Sequence, residues 1–404
     1  MAGSAGHIRS PWEDGELKFS EIKQLIKKSL YGELYATEKL DGQNIMVTFR
    51  EDDIFIARTP SHLRNYGINS IKWNSIHDFM KTEEAKFSYM DAAAYLFVIF
   101  SKIGNSFCRK FFKEGKRWLN MELLTPAMEN IISYGKIQLR VHNLIEVDVE
   151  GNTIDLINDG EFNILLKVIN DIQRSSSFSG FKFKILRTNK VKFNSIINVD
   201  IKYQTFLNDI ENILNNNNLK EENTIDDYIA EQLRKFIVSS NICDDKFMEL
   251  LVQRWAYKNK NPNISQLLKD KDNQLISWVK YQDSIIEESI IPNILQPIII
   301  IFMKIGILVL QNLKEISSAN PNKTIESIKL KFEDAINRLK DYKGKKLLYL
   351  NNQLELINQS GGLEGIAPVE GIVFEYNNKI YKLSGNYLPL LKIISFFRFG
   401  KDKE

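Results

Sequence analysis

The sequence predicts an α+β protein, on three observations. Up to about Val199, short runs of strand length alternate with helical stretches. From Ile201 to about Ser360 the apolar residues fall at helical spacing instead. After Gly361-Gly362, strand-like runs return. The pattern predicts a core formed by residues 1–200 and 361–404, interrupted by an all-helical insertion over 201–360.

The elements follow in order. Ile54-Phe55-Ile56-Ala57-Arg58-Thr59 reads as a strand ending in a basic residue. Trp118-Leu119-Asn120-Met121-Glu122-Leu123-Leu124 is strand-like with one inward acid, and Leu144-Ile145-Glu146-Val147-Asp148-Val149 is a further strand. Phe181-Lys182-Phe183-Lys184-Ile185 alternates apolar and basic residues, the signature of a half-buried strand. Thr224-Ile225-Asp226-Asp227 reads as a capped helix start, followed by Ile225, Ile229, Leu233 and Phe236 on one face. Ile325, Ile328, Phe332, Ile336 and Leu339 repeat that spacing, with Pro321 just ahead. Val369 to Phe374 and Ile380 to Ser384 are the closing strands.

Composition sets the bounds. At 404 residues, 44% hydrophobic and 26% charged, the chain has the profile of a soluble globular protein of two or three domains. A net charge of +3 supplies no global basic field, so any nucleic-acid contact rests on local patches. Arg254, Lys258 and Lys260 around Trp255, and Lys343, Lys345 and Lys346, are such patches. Cys108 and Cys243 fit no metal spacing and suggest a reducing compartment. The N-terminus has no apolar core of a signal peptide. The most apolar run, Ile298 to Leu310, is 13 residues long with Lys304 inside it, which predicts a buried helix rather than a membrane span. A cytoplasmic location is expected. Asn- and Ile-rich stretches such as Asn215 to Asn218 suggest an AT-rich genome, as in a phage or other virus.

The most informative segment is Thr37-Glu38-Lys39-Leu40-Asp41-Gly42-Gln43-Asn44. A lysine amine is a nucleophile only when unprotonated, which requires desolvation or a nearby cation. A neighbouring aspartate can orient it, and a glycine lets backbone pass close to a ligand. Arg58 follows 19 residues after Lys39. Glu122, the Val147-Asp148 strand, Glu370-Gly371 and Lys382 come after it in that order.

This ordered set resembles the motifs of the covalent nucleotidyltransferases, the ATP-dependent polynucleotide ligases and mRNA capping enzymes. Glu38 and Asn44 make it most similar to the phage and editing-type RNA ligases. The resemblance implies a core of antiparallel sheets with helices in which Lys39, Glu370 and Lys382 are catalytic. It implies that Glu38 reads the adenine amino group and that Glu122 holds the ribose. Asp41, Gly42 and Arg58 line the nucleotide site, and Val147 and Asp148 lie on the base-stacking strand. Asn44 and Glu370 orient a metal, Mg²⁺ or Mn²⁺, on ATP. RNA ends are the implied substrate, and RNA repair the implied role. Two positions depart from the family pattern. Ser384 stands where a second lysine is usual, with Lys379 as an alternative cation, and Val147 stands where an aromatic ring is usual. Only 22 residues follow Lys382, too few for the OB domain of DNA ligases and capping enzymes. Transfer to another acceptor (a DNA nick or a protein) and a non-catalytic nucleotide- or RNA-binding module remain open alternatives at this level.

Overall fold

The computed structural model describes residues 8–399 apart from Lys81, Asn130, Asn158, 176–182, 258–262, Asp270, 314–320 and Lys345. Its class is α+β, with a mixed sheet and a largely helical part. The chain forms two compact units. The first comprises Thr37–Lys190 with Ile316–Ile328 and the N-terminal Met1–Ile8. The second comprises Arg9–Ala36, Val191–Glu315 and Lys329–Glu404.

The first unit is built on a seven-stranded sheet. After β1 (Tyr35–Lys39) come β2 (Gln43–Arg50), β3 (Asp53–Ala57), β4 (Ile71–Lys72), β5 (Arg117–Leu124), β6 (Gln138–Val147), β7 (Thr153–Leu156) and β8 (Ile185–Arg187). The order is β4-β3-β2-β5-β6-β7, with β8 pairing to β6. All pairings are antiparallel except β6–β8, which is parallel and so departs from a purely antiparallel core. The strand expected from Leu144 begins earlier, at Gln138. Of the strand expected at 181–185 only Ile185 is in a strand, at the start of β8; Phe183 and Lys184 are irregular, and residues 181 and 182 lie outside the described residues.

One face of this sheet is apolar. Ile45, Val47, Ile56, Leu119, Met121, Leu123, Leu139 and Val141 pack on Tyr89, Ala92, Leu96 and Ile99 of the helix Glu83–Ile103 and on Phe162, Leu165 and Ile169 of the helix Asp159–Gln173. Burial of this kind is the main stabilising term, at about 25 cal/mol per Å² removed from water. Strand alternation sends the intervening residues to the other face. There the sheet is apolar only at one end, where Met46, Ala57, Trp118, Ile145 and Val147 cluster.

The second unit carries β10 (Gly371–Tyr376) and β11 (Lys379–Leu383), an antiparallel hairpin in a four-stranded sheet of order β11-β10-β1-β9, where β9 is Lys190–Lys192. From Val199 to Gln359 every described regular element is helical. Thr224 caps the helix Ile225–Ser240, accepting the Asp227 N–H, while the Asp227 carboxylate accepts the Thr224 N–H. The apolar run lies in the helix Ile291–Asn312, longer than the 13 residues of the run itself because Pro297 is accommodated inside it. The continuous helical stretch Asn273–Asn312 is long and apolar enough to cross a membrane, but 56% of its most apolar window is buried within the protein. Ile298, Ile301, Phe302, Ile305 and Val309 from it form core.

Candidate functional site

Strand β5 is the centre of the candidate site. All eight of its residues are buried, which favours apolar side chains on both faces, yet Asn120 and Glu122 stand on the face away from the helices. Register puts Asn44 of β2 opposite Glu122, and Arg140 of β6 opposite Glu122 on the other side. Three adjacent strands therefore carry an amide, an acid and a guanidinium in one row. Register partners project to the same side of a sheet, so the three share a face.

A β-bulge enlarges this row. Asn120 pairs with Asn143 and Met121 with Val141, leaving His142 as the extra residue of β6. The His142 Nε2 lies 3.5 Å from a Glu122 carboxylate oxygen, and its Nδ1 lies 3.3 Å from the Thr188 hydroxyl. Asn44 donates its amide N–H to Asn120 Oδ1 at 2.8 Å and to the Met121 carbonyl at 3.3 Å. The Arg140 Nε donates to Gln138 Oε1 at 2.9 Å and its Nη1 to the Arg187 carbonyl at 3.3 Å. Burial pulls the Arg140 pKa down, opposed by the nearby Glu38 carboxylate. Glu38 is almost fully buried and Arg140 half-buried.

The Lys39–Gly42 segment sits against this row. Lys39 ends β1 and is half-buried, while Glu38 is buried. Gly42 has no room for a side chain, since a Cβ there would lie 2.7 Å from the Glu122 Cγ, 2.5 Å from the Leu124 Cδ2 and 2.8 Å from the Leu123 carbonyl oxygen. Asp41 is a structural clamp: its Oδ2 accepts the N–H groups of Ile131 and Ile132 at 2.9 and 3.0 Å, and its own N–H donates to the Tyr134 hydroxyl at 2.8 Å. Two amides on one carboxylate oxygen fix the turn that carries Lys39.

Arg58 follows β3 on the helix side of the sheet. Its guanidinium stacks 4.4 Å from the centre of the Tyr89 ring, and Nη1 donates to the Met80 sulfur at 3.1 Å. The Tyr89 hydroxyl is buried, its pKa raised mainly by that burial, with Arg58 opposing and Glu122 reinforcing the shift.

Val147 and Asp148 are not brought to the row. They lie seven and eight residues beyond Arg140 on the same strand, a span of roughly 25 Å at the rise of an extended chain. Val147 closes the apolar cluster around Trp118. Asp148 shapes the β6–β7 turn, accepting the Asn152 backbone and side-chain N–H groups, which lower its pKa.

In the second unit, Glu370 and Lys382 are both buried. Glu370 precedes Gly371, where a Cβ would meet the Leu383 carbonyl oxygen at 2.4 Å, so the chain can pass there only as glycine. Lys382 lies opposite Val373, and its backbone N–H donates to the Arg9 carbonyl. Ser384 and Asn386 are buried beyond it, and Asn386 donates to the Gly362 carbonyl at 2.6 Å. Lys379 is committed elsewhere, to Asp14 at 2.8 Å. Among the basic positions, Arg254 forks onto Asp283 at 2.9 and 3.0 Å, and Trp255 donates to the same carboxylate. Lys258, Lys260 and Lys345 lie outside the described residues.

The sequence motifs alone do not single out Arg140, His142 or Asn120. A signal exists for the first two: Gln138, Arg140 and His142 alternate with Leu139 and Val141, a strand with one polar face. Among the described residues, no group of three or more acidic, histidine or cysteine side chains is gathered to hold a metal on its own. Comparison with known proteins yields no matching family model and no curated relative.

Proposed function

We propose that this chain is an ATP-dependent, RNA-ligase-like nucleotidyltransferase that forms a lysyl-AMP intermediate on Lys39. One observation carries the reading: Gly42, which closes the Lys39–Gly42 turn, is packed directly against Glu122, which with Asn120 is a buried polar side chain of the central strand β5. A sheet interior would favour apolar residues there, and a polar ligand is the simplest reason for their absence.

In the first step the unprotonated Lys39 Nζ attacks the α-phosphorus of ATP. The N–P bond forms as the bond to the bridging oxygen breaks, and pyrophosphate leaves. A 5′-phosphate oxygen of RNA then attacks the same phosphorus and releases the lysine. A 3′-hydroxyl finally attacks the 5′-phosphate and AMP departs. Glu122 would bind the ribose hydroxyls, Glu38 the adenine amino group, and Arg140 the phosphates. A Mg²⁺ or Mn²⁺ ion would withdraw charge from the triphosphate. It would be held by the phosphates with Asn44, in keeping with the few protein ligands Mg²⁺ needs. The strand-rich first unit would carry the catalysis and the helical segment 201–360 would select RNA, acting in the cytoplasm, in a virus-encoded repair role.

The test is incubation with α-labelled ATP and Mg²⁺ followed by denaturation. Label that stays on the wild-type chain and is absent from Lys39→Ala is the expected result. A folded wild-type chain that binds ATP but takes up no label overturns the enzyme reading in favour of a binding module. Nicked RNA sealed in preference to the matching DNA identifies the acceptor.

A further inference from the structure

A cavity lies wholly within the second unit, apart from the candidate site residues described above. It is formed by the helices Ile291–Asn312, Leu347–Gln359 and Tyr387–Phe399, together with Trp12. Its walls are apolar where Ile299, Met303, Leu356 and Leu388 face it, and Trp12 is fixed by its contact with Phe302 at 6.0 Å between ring centres. The space open to water-sized groups is about 60 Å³. Each such group needs on the order of 10–15 Å³, so roughly four to six fit. That suits a small organic molecule and is too little for a nucleotide.

Three polar features converge on this space. Glu288 is contributed by a π-helical turn, Ile286–Ile290, set between two α-helical stretches. Such turns are rare and occur frequently at functional sites. Lys392 approaches from the opposite helix, its amine 5.9 Å from the centre of the Tyr349 ring. Glu288, Tyr349 and Lys392 all line this one cavity. Neither the acid nor the amine makes an ion pair among the described residues. The third feature is Gln353, which lines the cavity while being only 4% exposed, and whose Oε1 has no hydrogen-bond partner. A buried amide oxygen without a donor costs about 1–3 kcal/mol, which a bound N–H group would recover.

We propose that this cavity binds a small zwitterion of the α-amino-acid type with an apolar side chain, its ammonium at Glu288 and Gln353 and its carboxylate at Lys392. Opposite charges that face one cavity without pairing are complementary to a ligand carrying both signs. The apolar walls receive its side chain.

The experiment is calorimetric titration of the full chain with L-alanine, whose six non-hydrogen atoms match the space, with propionate (no ammonium) and with ethylamine (no carboxylate). L-alanine is expected to bind at least tenfold more tightly than either analogue. Lys392→Met and Glu288→Gln are each expected to weaken it at least tenfold, while Lys246→Ala, an exposed position on the helix Asp245–Ala256 that does not line the cavity, leaves it unchanged. Both charge variants alter exposed side chains, so their folding is checked by circular dichroism and not put at risk as with Gln353→Leu. No binding of L-alanine to the folded wild type, equal binding of the analogues, or unchanged binding in both charge variants would each overturn the proposal.

Discussion

Glu122 and Arg140 are register partners across β5 and β6, so an acid and a guanidinium project side by side from the buried face of the sheet. Neither is needed to hold the strands together, since the backbone ladder does that. Their value lies in what they present. An arginine offers a planar fork of donors suited to phosphate. Replacing Arg140 with Lys or Ala is therefore expected to weaken nucleotide binding roughly 10–100-fold, the equivalent of a charge-assisted contact of about 1.5–3 kcal/mol. Equilibrium binding of a fluorescent ATP analogue measures this. Unchanged affinity in folded Arg140→Lys would remove Arg140 from the site.

Gly42 makes a sharper prediction because its neighbours are not all flexible. The Leu124 side chain can shift, but the Leu123 carbonyl belongs to the ladder of β5. Gly42→Ala is expected to cost about 1–3 kcal/mol through overpacking. It also displaces Glu122, so nucleotide binding falls more than stability does. Thermal unfolding compared with ATP affinity separates the two, and a variant that binds ATP normally would refute the close packing.

Much of this organisation was legible in the chain. The Lys39–Asn44 segment, Glu122 and the strand-then-helix-then-strand order were visible because each depends on local pattern. Arg58 shows where local reading stops: its stacking on Tyr89 joins residues 31 positions apart, which only packing of the helix Glu83–Ile103 on the sheet decides. The bulge at His142 is equally invisible, since it exists only relative to the partner strand. Asp148 was placed near the nucleotide by its motif, but strand length carries it to the far end of β6. Lys379 was a plausible replacement for the absent lysine, and its tie to Asp14 follows from a segment 365 residues away.

Asp41 tests whether the lysine turn is held by its clamp. Asp41→Ala leaves the Ile131 and Ile132 N–H groups buried without an acceptor, at about 1–3 kcal/mol for each. Asp41→Asn keeps an acceptor oxygen and is expected to lose less. Chemical denaturation of the two variants should rank them wild type, Asn, Ala. Equal midpoints for Ala and wild type would show that the clamp contributes nothing.

Asp14 gives a pH dependence with a defined sign. Its carboxyl is 3% exposed, and burial alone would raise its pKa. The Lys379 ammonium at 2.8 Å and the Tyr381 hydroxyl at 2.5 Å outweigh that burial and hold the pKa below the usual aspartate value. A depressed folded-state pKa means that the unfolded chain binds the proton first as pH falls. The stabilisation is therefore fully present above the ordinary aspartate pKa of about 3.9 and is lost as pH drops through the lower folded value. Asp14→Asn is expected to lower the unfolding midpoint at neutral pH, at a cost of about 1–3 kcal/mol, and to flatten the loss of stability below about pH 4. Tyr381→Phe removes one of the two donors and should reproduce part of that change. If wild type and Asp14→Asn lost stability in parallel across the acid range, the Lys379–Asp14–Tyr381 contact would not be what fixes the β10–β11 hairpin to the N-terminal segment.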